Sequence, residues 1–306
     1  MPVLPPETPR LMRVLHLDSG AQMRGGQWQV LRLIEGLGAA GHQNTLLARG
    51  GSPLYVEARA RGIDVHAWSS LSVARRGGEA DIVHAHDARS HTVAALAAAE
   101  RLVVSRRVAF LVKRNPASRW KYSRPAHFVA VSQHVKSLLI DAGIPASKIT
   151  VVYDGVPVLP VSHGSEVLIL ESRDPAKGTV LAIEGAKLAG LAVRPSGNLE
   201  SDLARAGLFL YITHSEGLGS AVLLAMSAGV PVIASNVGGL REIVVHERTG
   251  LLTENHPDAI GAAVRRLMDD RALAQTLAVR ARSIVQQKFS VERMVAETVG
   301  VYEAVA

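Results

Sequence analysis

Residues 214–239 read HSEGLGSAVLLAMSAGVPVIASNVGG, and this stretch decides the fold. A carboxylate, Glu216, stands directly before a glycine-rich turn, and an uncharged apolar segment with helical character follows it. VPVIAS then has the composition of a buried strand, and a glycine pair ends the stretch. Buried strands joined to apolar helices by glycine turns are typical of parallel α/β sheets, which bind ligands beyond the carboxyl ends of their strands. The stretch therefore predicts a ligand site near Glu216.

Strand-like and helical segments alternate along the rest of the chain. The N-terminal half has strand-like segments at residues 13–19, 44–49, 64–69, 81–87, 127–132 and 149–156. After a linker at residues 156–165, which holds two prolines and a glycine, the strand-like segments are residues 166–173, 191–196, 208–213 and 231–235. Three helical segments, at about residues 257–269, 271–288 and 290–304, end the chain.

This order predicts an α/β protein with two tandem Rossmann-like domains, each a doubly wound parallel sheet, that face a cleft. We expect the N-terminal domain at residues 1–159, with residues 1–11 as a disordered leader. We expect the C-terminal domain at residues 160–306, with its last helix packing back on the N-terminal domain.

The composition excludes several classes of chemistry. The chain has 306 residues and no cysteine, which excludes disulfides, thiolate catalysis and cysteine-bound zinc. It has no Asp-x-Asp metal motif and no P-loop, and its Gly-x-Gly-x-x-Gly at residues 36–41 ends a helical segment instead of following a strand as a dinucleotide motif does. Prolines interrupt the only place for a signal peptide, and no apolar run is long enough for a membrane span. We therefore expect a cytoplasmic protein.

The positive charge lies mostly in the N-terminal half. Residues 1–160 hold 20 Lys and Arg against 11 Asp and Glu, whereas residues 161–306 hold 14 against 16. Residues 101–124 contain eight basic residues and no acidic one, which favours a phosphate-rich ligand or an anionic membrane surface. The alternative is a solvated basic face. A nucleic-acid partner is not expected, because no nucleic-acid-binding module accompanies the charge.

The stretch from Ser215 to Val244 resembles the C-terminal signature of the family 4 glycosyltransferases, a large retaining group with the GT-B fold. The resemblance extends to Arg24-Gly25-Gly26 after the first strand, to DIVHAHD at 81–87, to VAVS at 129–132 with KITVVYDGV at 148–156, and to SRDPAKG at 172–178. It implies transfer of a sugar from a nucleotide diphosphate sugar to an acceptor with retention of the anomeric configuration, without a metal or other cofactor. A glycan or a lipid-linked precursor is the acceptor that we expect, which would place the protein at the inner face of the membrane.

The resemblance also assigns roles to residues. Arg173 and Lys177 would stabilise the departing diphosphate, and Glu216 would bind hydroxyls of the donor sugar. The backbone around the two glycine turns would approach the phosphates, which predicts six donor-binding residues: Gly25, Gly26, Gly217, Leu218, Gly219 and Ser220. The alternatives are an Arg-Lys surface loop, a helix-start carboxylate that interacts only with the helix dipole, and plain tight turns.

The chain departs from the family pattern at three points. Leu224 stands where the family has a second Glu that binds the ribose, and Asp174 follows Arg173 where an apolar residue is usual. Only 38 residues separate Lys177 from Glu216, a span in which the family normally has an additional strand and helix and a glycine-rich turn beside the base. These departures predict a shortened C-terminal domain. They also keep open a second function, that of a degenerate GT-B protein that binds a nucleotide sugar or a glycan without turnover. Another GT-B enzyme, such as a nucleotide-sugar epimerase, is a further alternative.

Two further pairs are candidates for the cleft. Arg106 and Arg107 follow a strand and either face the cleft or belong to the solvated basic face. His84 and His86, at the end of another strand, are expected to point to opposite faces of the sheet, which makes them a poor metal pair; either one of them lies near the donor or acceptor, or they are packed strand residues. Asp154 and Gly155 are expected to form a structural turn at the end of the N-terminal domain.

Overall fold

The computed structural model describes residues 10–172 and 174–306. The predicted leader lies almost wholly outside these residues. Two parallel sheets form the architecture, one of seven strands and one of five. Both sheets have helices packed on them, so their strands read as continuous apolar runs instead of alternating ones. This arrangement confirms the predicted α/β class with two doubly wound sheets.

The first sheet has the strand order β3-β2-β1-β4-β5-β6-β7. Its strands are β1 (Arg13–Asp18), β2 (Gln43–Ala48), β3 (Asp64–Ala67), β4 (Ile82–Ala85), β5 (Leu102–Arg106), β6 (His127–Ala130) and β7 (Ile149–Val151). The connecting helices are α1 (Gly25–Ala39), α2 (Pro53–Ala60), α3 (Ser70–Gly77), α4 (Ala88–Ala97), α5 (Pro116–Ser123) and α6 (Gln133–Asp141).

The second sheet has the order β12-β11-β10-β8-β9. Its strands are β8 (Glu166–Leu170), β9 (Val193–Ser196), β10 (Ala206–Tyr211), β11 (Val232–Ser235) and β12 (Leu251–Thr253). Its helices are α7 (Thr179–Leu188), α8 (Leu199–Asp202), α9 (Ser220–Ser227), α10 (Leu240–Ile243), α11 (Pro257–Asp269) and α12 (Arg271–Lys288). The residues between Lys177 and Glu216 thus form two helices and one edge strand before β10.

The last helix, α13 (Val291–Glu303), returns to the first sheet. Its apolar residues Met294, Val301 and Tyr302 pack in one buried cluster with Met12 and Leu33. The chain therefore passes between the sheets twice, once through the linker and once between α12 and α13. These two passages lie side by side, because the Val156 amide donates to the Phe289 carbonyl at 2.9 Å.

Three helices and one strand were not predicted from the sequence, namely α3, α5, α10 and β12. None of the residues of α5 is buried, so it shows no apolar stripe. Among the described residues, none of the helices is both long and apolar enough to cross a membrane.

Candidate active site

Each sheet has one point at which the strand order reverses, and the loops that diverge there form a crevice. In the second sheet this point lies between β8 and β10, which pair directly. The loop after β8 carries Lys177, and the loop after β10 carries Glu216. The order of the strands therefore brings together two predicted site residues that are far apart in the sequence.

Lys177 and Glu216 form an ion pair with 2.9 Å between Nζ and Oε2. The Tyr211 hydroxyl donates to the same oxygen, and the Gly217 amide donates to Oε1 at 3.1 Å. Burial and the neighbouring carboxylate raise the pKa of Tyr211 well above its ordinary value, so this hydroxyl remains a donor. Glu216 is thus fixed in one orientation while its carboxylate stays partly accessible. Lys177 Nζ also donates to the Tyr211 hydroxyl at 3.3 Å, which leaves one of its three N–H donors available for an anion.

Tyr211 was missed at the sequence level. It ends β10 five residues before Glu216, and its side chain is 6% exposed. The available signal was a polar hydroxyl at the carboxyl end of an otherwise apolar strand. Arg173, by contrast, lies outside the described residues, so its predicted place beside Lys177 stays a prediction.

The glycine turn after Glu216 leads into the N-terminus of α9. Gly219 has φ +107°, which only glycine adopts without strain, and α9 begins at the next residue, Ser220. Leu218 is 2% exposed and packs in the apolar core, so only its backbone could face a ligand. Glu216 does not cap α9, whose first turn carries no acidic residue.

The predicted N-terminal glycine turn meets α9 across the cleft. A Cβ added to Gly25 would lie 2.8 Å from Ser220 Oγ, so the two segments approach to within the space of one methyl group. Gly26 faces Arg107, whose Cδ would lie 3.8 Å from an added Cβ. The first turns of α1 and α9 therefore face each other, and a diphosphate between them requires the two domains to separate.

Direct hydrogen bonds join the two domains beside this turn. Ser132 Oγ donates to the Gly217 carbonyl at 2.6 Å. The Glu242 carboxylate accepts from the backbone amides of Gln133 at 2.9 Å and His134 at 2.8 Å, in the first turn of α6. These contacts place the loop that carries Glu216 against the carboxyl edge of the first sheet.

The switch point of the first sheet lies between β1 and β4. Asp87 caps α4 and binds Ser19 after β1 through both its amide and its hydroxyl. Asp18 accepts from the Gly20 amide at 2.8 Å, and burial raises the pKa of Asp18 to about 6. Both carboxylates therefore organise the loop that leads to Gly25.

His84 and His86 point to the same side of the first sheet, so the prediction that they point to opposite faces was wrong. Residues two apart in a strand share a face, and the ring centroids lie 4.1 Å apart. His16 of the adjacent β1 joins them; the residues His16 and His84 are fully buried, and His86 is half-buried. Among the described residues, this is the group with ligand atoms close enough to hold a metal ion.

The hydrogen bonds of these histidines are already complete within the protein. His16 Nε2 donates to Asn44 Oδ1 at 3.1 Å, which leaves Nδ1 to accept from His86 Nε2 at 3.1 Å. His86 Nδ1 then accepts from Arg107 Nη1 at 3.2 Å. His84 bonds to Tyr302 through Nδ1 and to Ser105 through Nε2. A metal ion would have to break these bonds.

Arg107 lies at the centre of the domain contact, and Arg106 does not. Arg107 pairs with the buried Asp154 at 3.3 Å, and burial raises the pKa of Asp154. Arg106 binds the Tyr122 hydroxyl and the Phe110 carbonyl, so it anchors the loop before α5. A Cβ on Gly155 would lie 2.7 Å from the start of α13, which explains the glycine of this turn.

Leu224 lies in the second turn of α9, half-buried, and packs against the apolar core. The Leu224 side chain cannot hydrogen-bond a ligand, as the residue type alone indicates.

Two family models match the chain. Residues 23–158 match "Glycosyltransferase Family 4", and residues 192–284 match "Glycosyl transferases group 1". An uncharacterized glycosyltransferase of Methanocaldococcus jannaschii is 38% identical over 89 residues, which are 29% of this chain and 23% of that protein. N-acetyl-alpha-D-glucosaminyl L-malate synthase of Bacillus anthracis is 35% identical over 107 residues, 34% of this chain and 28% of that protein. The chain thus spans about a quarter of the length of these curated relatives.

The whole fold matches solved structures. HepE of Anabaena, crystallised in complex with UDP and glucose, superposes with a TM-score of 0.85 at 16% sequence identity, over 96% of this chain and 100% of that one. Together the two family models span most of the chain, one on each sheet. The chain belongs to the family 4, or group 1, glycosyltransferases with the GT-B fold.

Proposed function

We propose that the protein is a retaining glycosyltransferase that moves a sugar from a nucleotide diphosphate sugar to a glycan or lipid-linked acceptor. The observation that carries this proposal is the convergence of Lys177 and Glu216 at the switch point of the second sheet, 2.9 Å apart, beside the N-terminus of α9. The complexes of HepE with UDP and with UDP-glucose support a nucleotide sugar as the donor.

The proposed chemistry needs little beyond positioning and charge. Lys177 and the first-turn amides of α9 stabilise the leaving diphosphate, together with Arg173. Glu216, held by Tyr211, accepts hydrogen bonds from hydroxyls of the donor sugar. The leaving phosphate takes the proton of the attacking hydroxyl on the same face of the sugar, so retention requires no protein nucleophile. These cationic groups take the place of a metal ion, and we expect none.

A thermal-shift panel with UDP, GDP, ADP and TDP and their sugar conjugates tests the donor site. A ligand at one hundred times its dissociation constant adds about 2.7 kcal/mol of apparent stability. We expect a shift with one base, and we expect Lys177→Ala and Arg173→Ala to lose it. Lys187→Ala, at an exposed lysine of α7, is the matched control and should keep the shift. A cooperative melt with no shift for any nucleotide would contradict the proposal.

The second candidate function is binding of a nucleotide sugar without turnover, and Leu224 favours it. Restoring the carboxylate with Leu224→Glu should strengthen nucleotide binding about tenfold to hundredfold if the ribose lies there, since a charged hydrogen bond contributes about 1.5–3 kcal/mol. Leu224→Gln controls for size. Donor turnover that appears or rises in Leu224→Glu indicates a weak enzyme, whereas tighter binding without turnover indicates the binding protein.

We further propose peripheral association with an anionic membrane through residues 101–124, at the cytoplasmic face. Phe110 and Leu111 are 68% and 78% exposed in the loop before α5, and Trp120 of α5 is 43% exposed. Apolar and aromatic side chains among cations are typical of interfacial anchors. Flotation with phosphatidylglycerol vesicles should carry the protein, phosphatidylcholine vesicles should not, and Phe110→Ser/Leu111→Ser should abolish it. Equal flotation with both lipids would contradict this.

A further inference from the structure

A cavity of ≈ 360 Å³ opens at the carboxyl edge of the first sheet, apart from Lys177 and Glu216. Its wall comes from the segments that follow β1, β2, β3 and β4. The lining residues are Ser19, Arg49, Trp68, Ser69, Ser70 and Arg89. Its volume is within the usual range of small-molecule sites. Because Ser19 also lies in the loop that leads from β1 to Gly25, the cavity adjoins the candidate active site on the N-terminal side.

The cavity is rich in hydrogen-bond donors. Among the described residues, the guanidinium groups of Arg49 and Arg89 have no carboxylate or hydrogen-bond partner. The Arg89 guanidinium stacks on the Trp68 ring at 4.6 Å, which fixes its plane and leaves its N–H edge free. The first turn of α3, capped by Ser69, begins in the same wall and adds the positive end of its dipole.

The carboxylate of Asp87, which follows β4 and contacts Ser19 of the cavity wall, already accepts several hydrogen bonds. Asp87 accepts hydrogen bonds from the backbone amide and the hydroxyl of Ser19, from the Arg89 amide, and from the backbone amide and the hydroxyl of Ser90. Its charge is therefore held at the cap of α4, and it forms no ion pair with either guanidinium. Two unpaired cations on one concave wall attract an anion, and the fork geometry of arginine fits phosphate oxygens.

We propose that this cavity binds a phosphoryl group of the acceptor, so that the protein glycosylates a phosphorylated acceptor. The proposal rests on the proposed function for the meaning of the bound group, but the binding itself can be measured without any donor. A phosphoryl group offers more acceptor oxygens than a carboxylate. It therefore suits a wall whose donors are two guanidinium groups, the serine hydroxyls and the first-turn amides of α3. The phosphoryl group can belong to a soluble sugar phosphate or to a lipid headgroup.

Trp68 provides a reporter inside the cavity. In a Trp28→Phe/Trp120→Phe background it is the only tryptophan, because the chain has three. We expect its fluorescence to change saturably on titration with inorganic phosphate and with glycerol 3-phosphate, and not with glycerol. Arg49→Ala and Arg89→Gln should each weaken the response about tenfold to hundredfold, the usual effect of losing a charge-assisted hydrogen bond. Arg75→Ala, an equal charge loss on the exposed face of α3, should leave it unchanged.

Vesicles distinguish the two sources of the phosphoryl group. If phosphatidic acid in phosphatidylcholine vesicles saturates the response at a lower phosphate concentration than glycerol 3-phosphate does, the acceptor is lipid-borne, and the reverse order indicates a soluble one. Either order supports the site. No response to any phosphate, or an equal response in Arg49→Ala/Arg89→Gln, overturns it.

Lys177→Ala distinguishes the phosphate site from the proposed transferase function. This variant should lose the thermal shift with nucleotide and keep the Trp68 fluorescence response to phosphate. A Trp68 response in a protein that binds no nucleotide would contradict the transferase function and support the phosphate site. A Trp68 response that disappears in Lys177→Ala would overturn the site, because the probe would then bind at the donor position.

Discussion

His16, His84 and His86 form a buried row whose ring nitrogens bond only to neutral or cationic groups. Arg107 donates into one end of the row and Asn44 accepts at the other, so the bonds are complete only with neutral rings. Burial lowers the pKa of His16 to about 4, and it lowers the pKa values of His84 and His86 well below 6.5. The row is therefore a structural element that acid disrupts.

This row makes stability depend on pH in a defined direction. Between pH 6.5 and about 4 the unfolded chain binds protons at these histidines and the folded chain does not, so the free energy of unfolding falls as the pH falls. The stability that the neutral histidines contribute is fully present above pH 6.5. His16 alone accounts for about 3 kcal/mol at pH 4, at 1.36 kcal/mol per pKa unit. Urea unfolding at pH 7.5, 6.5, 5.5 and 4.5 should show a shallower slope for His16→Gln than for the parent protein.

His163→Gln, at an exposed histidine of the linker, is the control and should keep the parent slope. Buried Asp18 acts in the opposite direction, because its raised pKa favours the folded state at low pH. Its effect is common to all three proteins, so the comparison isolates His16. Parallel slopes for His16→Gln and the parent would contradict a neutral His16.

At the scale of the elements, α1 and α13 cross at Gly36. A Cβ added there would overlap the Val295 side chain, so glycine is required by packing at this position. The crossing attaches α13 to the first domain after the chain has left the second. The two sheets are thus linked by helix packing as well as by the linker.

The cost of filling this crossing can be measured. Alanine gains about 0.5–1 kcal/mol over glycine inside a helix, but overpacking costs about 1–3 kcal/mol. Gly36→Ala should therefore destabilise the protein by about 1 kcal/mol, and in a Val295→Ala background the same change should stabilise it. Gly300→Ala in α13, where an added Cβ meets nothing within 4 Å, should stabilise in both backgrounds. Urea denaturation of the four proteins of the cycle gives the coupling, and additive values would refute the overlap.

Apolar periodicity predicted most elements, and its failures have physical causes. Helix α5 lacks a buried face, and its available signals were the Asn115 cap, which accepts from the Ser118 amide, and a proline in its first turn. Helix α3 likewise begins with a Ser69–Ser72 capping box and buries little. For such helices the end signals are more informative than the stripe. The prediction for His84 and His86 was wrong because it treated residues two apart in a strand as facing opposite sides, whereas such residues share a face.

At the scale of the molecule, the sequence pointed to candidate site residues but not to the bonds that hold their loops in place. Lys177, Glu216 and the glycine turns follow from the family pattern, and the strand order explains why they meet. The bonds from Ser132 to Gly217 and from Glu242 to α6 join residues 85 and more than 100 positions apart. No local pattern encodes such pairs, because they depend on how the two domains dock.

Substitution of Glu242 tests how the two domains dock. Its carboxylate accepts from two first-turn amides of α6 and from the Tyr153 hydroxyl at 3.0 Å, where the helix dipole favours a negative charge. Glutamine would present an NH₂ group to donors and lose the charge. Since a diphosphate between Gly25 and Ser220 requires separation, this contact sets how readily the cleft opens. Glu242→Gln should open the protein, which small-angle X-ray scattering would record as a larger radius of gyration.

The same variant separates opening from loss of structure. Glu242→Gln should keep its far-ultraviolet circular dichroism, and Glu184→Gln, at an exposed glutamate of α7, should scatter like the parent. With a donor nucleotide, the open variant should bind faster but release faster as well, because the contact that closes the cleft is weakened in both states. An unchanged radius of gyration together with unchanged nucleotide kinetics would mean that Ser132 and the pair of Arg32 with Glu200, 3.1 Å apart, hold the domains without Glu242.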